Sequence, residues 1–234
     1  MESRTIDAVR LRLGGYAAIS PPTRGDLVNA YRIVLSRVDK LMETAQEARV
    51  PRPAILFSAS QPGEGCSTIA LNFARCAAER DDANVVIVRC EQPPAPAIAT
   101  EPELGWVDVA SGAVSPAEGT RRLDGSNLHL LPRGGRLGRA AMASLGDDAV
   151  QGLVARLKQD FSYVIVDAPP FSARAELVRW LSSVDGVVLV IEANRTRRET
   201  LIPIVEFLKE SSTLLGVVLN KRRHFIPDWI YQRL

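Results

Sequence analysis

Three groups of residues in this chain are of types that handle phosphate. The first is Ser60-Gln61-Pro62-Gly63-Glu64-Gly65-Cys66-Ser67-Thr68. Glycines let successive backbone N–H groups turn inward, and a helix starting directly behind them adds partial positive charge. Together these form an anion cradle. Ser67 stands where such loops place a hydroxyl that ligates Mg²⁺, but the position of the phosphate-gripping lysine is Cys66. The second group is Tyr163-Val164-Ile165-Val166-Asp167, followed by Ala168-Pro169-Pro170. An acid that closes an apolar strand is suited to hold Mg²⁺ directly or through water. The third is Arg89-Cys90-Glu91, at the end of another apolar run. An ordinary strand-to-helix turn would account for the glycines alone, and an N-cap for Asp167. The combination of strand, loop, helix and downstream acid favours the phosphate reading.

The elements that must position these residues are legible from periodicity. Residues 1–24 read as an irregular leader. Residues 26–48 read as a helix, with Leu27, Ala30, Val34, Val38 and Leu41 at spacings of three and four, ended by Pro51 and Pro53. Short apolar runs at 54–57, 85–88, 128–131, 163–166, 187–191 and 215–219 read as strands. Between them lie helices at about 67–79, 149–159, 174–183 and 198–211, and a short helix around Trp106 and Val109. Strands apolar on both faces belong in a parallel sheet covered by helices. The expected fold is therefore α/β and P-loop NTPase-like, a mostly parallel sheet with helices on both faces plus an N-terminal helical arm. The expected division is 1–50 for leader and helix, 51–220 for the α/β domain, and 221–234 for a basic-aromatic tail. Right-handed crossovers bring every strand end to one edge, where ligands bind.

Bulk properties narrow the classes. The 234 residues carry a formal charge of +2, so charge alone gives no nucleic-acid reading. The apolar runs are too short to span a bilayer, and no signal-type segment follows Met1. The cysteines Cys66, Cys76 and Cys90 have no metal spacing, which fits a reducing compartment. The expected location is the cytoplasm, peripheral at the inner face of the cell membrane. Lys221-Arg222-Arg223-His224-Phe225 and Trp229-Ile230-Tyr231 would suit a membrane surface or a partner, or fold back on the domain.

The chain resembles the bacterial tyrosine kinases of capsule and exopolysaccharide export. The resemblance runs from about residue 26 to residue 220. It is carried by the Pro-Gly-Glu-Gly-x-Ser-Thr core of the loop, the Asp-x-Pro-Pro strand end and the closing Gly216-Val217-Val218-Leu219-Asn220. Leu104-Gly105-Trp106-Val107-Asp108-Val109 and Leu131-Pro132-Arg133-Gly134 fall at two further landmarks. Asn29-Ala30-Tyr31-Arg32 is similar to the helix by which that family docks on a neighbouring subunit, which implies a homo-oligomer contact. The resemblance implies ATP or ADP, with or without Mg²⁺, held by Gly63, Glu64, Gly65, Cys66, Ser67, Thr68, Arg89 and Asn220, with Ser67 and Asp167 on the metal. It also implies a partner, the cytoplasmic segment of a Wzz-like membrane polysaccharide co-polymerase, and no nucleic acid.

The departures bear on the reaction. The family's catalytic lysine is Cys66, its Asp-x-Asp is Arg89-Cys90-Glu91, its next acid is Glu176, and its C-terminal tyrosine cluster is reduced to Tyr231. A thiol supplies no fixed positive charge for phosphoryl transfer. At a helix N-terminus its pKa should fall, and a thiolate would repel phosphate. Arg89 is expected to contact phosphate and loosen the dependence on Mg²⁺; the alternative is a salt bridge to Glu91 or Glu64 and an empty pocket. The resulting expectation is a degenerate pseudo-kinase that acts as an adaptor in polysaccharide export. An atypical autokinase or ATPase, with Asp167 as its catalytic residue, is the alternative. A MinD/ParA-like positioning NTPase ranks last, because Gln61 occupies the place of that group's signature lysine.

Overall fold

The computed structural model describes residues 31–40, 52–80, 83–91, 104–123, 126–134 and 145–221. The leader, the ends of the 26–48 helix, the Gly- and Arg-rich stretch 135–144 and the tail after Lys221 lie outside the described residues.

Helix α1 (31–40) precedes β1 (Ala54–Ala59), α2 (Cys66–Ala78) and β2 (Val85–Arg89). Two short helices follow, α3 (Trp106–Ala110) and α4 (Pro116–Gly119), then β3 (Arg121–Arg122) and β4 (Leu128–Leu131). The chain continues through α5 (Asp147–Asp160), β5 (Tyr163–Asp167), a 3₁₀ turn (Phe171–Ala173), α6 (Arg174–Leu181), β6 (Gly186–Glu192), α7 (Arg198–Ser211) and β7 (Leu214–Asn220). The described strands form one sheet in the order β3-β4-β2-β5-β1-β6-β7. Every pairing is parallel except β3 with β4.

The sheet is buried on both faces because alternate residues of each strand feed two cores. Ile55, Phe57, Ile87, Ile165 and Val188 face α1 and α2. Leu56, Val88, Val166 and Leu189 face α3, α5, α6 and α7. Neighbouring strands β1 and β5 therefore send their following helices to opposite faces, α2 to one and α6 to the other. That divergence opens a crevice at their C-terminal ends, the usual ligand position in such sheets. Register brings Arg89 and Phe57 level with Asp167 on either side of it.

The strands at 54, 85, 128, 163, 187 and 215 all form, each within two residues of its expected ends. The pairing of β3 was not anticipated, because a two-residue strand of exposed arginines has no apolar period. The two family-like landmarks meet: Trp106 N–H donates to the Pro132 carbonyl (2.8 Å) and Val107 N–H to that of Arg133 (3.2 Å). Trp106 then packs edge-on against Trp180, with ring centroids 5.1 Å apart.

The arm helix packs on its own domain. Val34, Leu35 and Val38 are buried with α2. Tyr31 is only 4% exposed, its hydroxyl accepts from Asn72 (3.3 Å), and burial pushes its pKa up to about 12. Of the four residues expected at a subunit contact, Asn29 and Ala30 lie outside the described residues and Tyr31 is turned inward. Arg32 is exposed and pairs with Glu79 of the same chain.

Candidate functional site: a phosphate loop without its lysine

The loop between β1 and α2 turns back on itself because two of its residues adopt the left-handed region, Gly63 (φ 84°) and Gly65 (φ 90°). Gly65 is the last residue before α2, and a Cβ there would collide with the Asn220 amide. The first N–H groups of α2 have no acceptor within the helix and are available to an anion. The loop walls a cleft of about 270 Å³, joined by Glu91, Ala168 and Pro170 from the ends of β2 and β5.

One flank of the loop is densely bonded. The Glu64 side chain, 1% exposed, points away from solvent. Its carboxylate accepts from the Ser60 hydroxyl (2.8 and 2.9 Å to the two oxygens), the Gln61 N–H (3.0 Å), the Glu192 N–H (3.5 Å) and the Thr196 hydroxyl. Asn220 donates from its side-chain amide to the Glu64 carbonyl (2.8 Å). Lys221 donates to the Gly63 carbonyl and to Glu192 (3.0 Å), and Arg195 donates to the same Glu192 carboxylate (3.0 Å). Desolvation pushes the Glu192 carboxyl up, but the hydrogen bonds and charges of Lys221 and Arg195 together outweigh it and hold the carboxyl below its usual range.

The other flank holds the groups that would do chemistry. Asp167 is 5% exposed, and burial pushes its pKa up to about 6; a hydrogen bond with Ser67 and the charge of Arg89 oppose that rise, and the charge of Glu91 adds to it. Cys66 lines the cleft at the lysine position. Burial, and then the charges of Asp167, Glu64 and Glu91, push its thiol well above the ordinary range. The expectation of a lowered thiol pKa is thus corrected. The helix terminus is outweighed by desolvation and three carboxylates, and Cys66 is a neutral thiol. Burial raises Cys90 likewise, with Asp167, Glu91 and Glu176 contributing.

The structure gathers Gly63, Glu64, Gly65, Cys66, Ser67 and Thr68 around one cleft, with Asp167 bonded to Ser67. Two placements differ in kind from the rest. Arg89 is half-buried beside Asp167 and is not among the residues that line the cleft. Among the described residues it forms no ion pair with Glu91 or Glu64. Asn220 spends its amide on the loop, while its buried side-chain oxygen has no partner among the described residues. None of the described residues lining the cleft is cationic. A divalent cation fits the Ser67–Asp167 pair, since hard cations take hydroxyl and carboxylate oxygens, and Glu91 lies in the same cleft. The sequence reading did not single out Thr196, Glu192 or Arg195. The signal was available, because the turn after β6 must end at the same sheet edge as the loop.

The fold and site define a P-loop α/β protein. No protein-family profile matches the sequence. Over 70 residues, 30% of the chain, it is 34% identical to the tyrosine-protein kinase CpsD of Streptococcus agalactiae, and that match spans 31% of the relative's length. The kinase domain of the Escherichia coli tyrosine kinase ETK superposes with a TM-score of 0.69 at 17% identity, over 86% of this chain and 78% of that one. MinD of Pyrococcus horikoshii, solved with Mg-ADP, superposes with a TM-score of 0.56 at 15% identity, over 71% and 69%. The resemblance to the bacterial tyrosine kinases thus holds in sequence over one segment and in fold over most of the chain.

Proposed function

We propose that this chain is a nucleotide-binding but non-phosphorylating relative of the bacterial tyrosine kinases. In this reading it works at the inner face of the cell membrane as an adaptor of a polysaccharide co-polymerase, in capsule, exopolysaccharide or holdfast assembly. One observation carries the proposal. The phosphate cleft keeps its backbone cradle, Ser67 and Asp167, but has a neutral thiol at the lysine position and no cation among its described lining residues. Binding a phosphate needs N–H donors, which remain. Transferring one needs fixed positive charge as the transition state forms, and losing such a group costs on the order of 10³ in rate or more. The unpartnered Asn220 oxygen, buried beside the loop, is an acceptor suited to an amino group of a base.

Arg89 acts in this proposal by offsetting the Asp167 charge, leaving nucleotide affinity weakly dependent on Mg²⁺. Calorimetry with ATP and ADP, with and without Mg²⁺, checks that part, and a strong Mg²⁺ requirement overturns it. The non-catalytic reading is tested by incubating the chain with γ-labelled ATP beside an Asp167→Ala variant. Equal, background-level tyrosine phosphorylation and hydrolysis are expected. Turnover that disappears with Asp167 would instead establish an atypical autokinase or ATPase, the reading favoured by the retained Ser67–Asp167 bond.

A further inference from the structure

The Glu64 carboxylate has a role that no ligand requires. It sits at the centre of the loop yet faces inward, and its partners come from two separate stretches of chain. Ser60 and Gln61 belong to the start of the loop itself. Glu192 and Thr196 belong to the end of β6 and the turn that leads into α7. A buried carboxylate that collects two hydroxyl and two backbone N–H donors has its acceptor sites occupied, so it has little left to offer a bound molecule. The same residue's main-chain carbonyl is held by Asn220 from the end of β7.

We infer that Glu64 is the positioning residue of this loop. It binds the loop's first residues to the β6–α7 turn, and so fixes the direction of the N–H groups that follow it. In a loop with a lysine, the cation and the phosphate it attracts help to hold that shape. With Cys66 in the lysine's place, the shape is held from behind by Glu64 and Thr196, whether or not a ligand is bound. The arrangement explains how the cradle persists without the lysine. Thr196 is the second member of the pair. Its hydroxyl donates to Glu64 and accepts from the Glu192 N–H (3.2 Å), so a hydroxyl at 196 is required and its methyl group is not.

The test is amide hydrogen exchange by NMR on the full chain, without ligand, for the wild type, Glu64→Gln, Thr196→Val and Thr196→Ser. A glutamine keeps one acceptor oxygen and turns an NH₂ toward donors, which leaves at least one N–H without an acceptor. Exchange at the Gln61 and Glu192 amides, the two bonded to the Glu64 carboxylate, should rise about ten-fold in Glu64→Gln and Thr196→Val, with β1 and β5 unchanged and Thr196→Ser close to the wild type. Unaltered loop exchange overturns the inference. So does a rise shared equally with the strands, because that is a loss of global stability. If Glu64→Gln does not fold, the two Thr196 variants decide by the same readout. Calorimetry with ADP adds an arm that rests on the nucleotide reading, with Glu64→Gln weakening the affinity about ten-fold. A wild type that fails to bind ADP, with the exchange pattern as expected, removes the nucleotide reading and supports Glu64.

Discussion

The two flanks of the phosphate loop are built on opposite principles. Toward β6 and β7, Glu64, Asn220, Thr196, Glu192 and Lys221 form a connected network of hydrogen bonds. Toward β2 and β5, Cys66, Asp167 and Glu91 gather without a cation among the cleft's described lining residues, and burial raises Asp167 and Cys66 toward their neutral forms. The first flank fixes backbone; the second is where a reaction would be driven. Holding a loop and driving phosphoryl transfer are separable tasks. This chain has the residues of the first task in place, and under the proposed function it lacks those of the second.

The largest expected effect breaks the bracing flank. Gly65→Ala must place a side chain at φ 90° and push the Asn220 amide off the Glu64 carbonyl. The left-handed backbone costs about 1–2 kcal/mol and the lost buried hydrogen bond about 1–3 kcal/mol. A total of about 3 kcal/mol should appear in urea denaturation as a lower midpoint with an unchanged slope.

The next effect has the opposite sign and falls on the chemical flank. The Asp167 pKa is raised above its unfolded value, so folding favours the protonated carboxyl. That contribution is complete below about pH 4 and is lost as pH rises through about 6. Asp167→Asn, which is neutral at every pH, should therefore be the more stable protein at pH 8 by about 2–3 kcal/mol. The advantage should shrink toward zero near pH 4. Thermal melts at both pH values check this, and a variant less stable at pH 8 would show that Asp167 is a structural brace like Glu64.

The same contrast explains what could be read from the sequence. Apolar runs such as Val85–Val88 and Val187–Ile191 announce buried parallel strands, and the glycines announce a turn, because these depend on local period and φ. The pairing of the 104–109 and 131–134 segments was visible only as two landmarks, since their contact is a backbone one that no side-chain pattern encodes. Glu64 was legible as part of a loop motif, but its inward direction depends on Thr196, distant in sequence. The Cys66 thiol was misjudged because a helix terminus is a local signal, whereas burial among Asp167, Glu64 and Glu91 is set by the tertiary structure.

Cys66→Lys would sharpen the comparison by returning a cation to the chemical flank alone. A charge-assisted hydrogen bond to phosphate contributes about 1.5–3 kcal/mol, so ADP affinity should rise by about ten- to a hundred-fold in calorimetry. The new charge lies beside Asp167 and should bring its pKa down from about 6. Tyrosine phosphorylation should stay at background in the labelled-ATP assay, since Arg89 and Glu91 still occupy the neighbouring strand end.

The smallest effect separates the two flanks at the level of one hydroxyl. Ser67 is exposed and its bond to Asp167 holds that carboxyl down against burial. Ser67→Ala removes the opposing influence, so the Asp167 pKa should climb further above about 6. The change should be well under one unit, because water can reach the Ser67 side of the pair and replace part of the bond. Global stability should move by about 0.5 kcal/mol or less, as for one solvent-accessible hydrogen bond. A carbon-detected NMR titration of the Asp167 carboxyl reads the shift directly. On the bracing flank, the hydroxyl of Thr196 bonds to a carboxylate that is 1% exposed, where no water can substitute. Thr196→Val should therefore cost several times more stability than Ser67→Ala, although each removes one hydroxyl from one buried acid. Equal costs would mean that the two carboxylates sit in equivalent surroundings and that the loop has no preferred side.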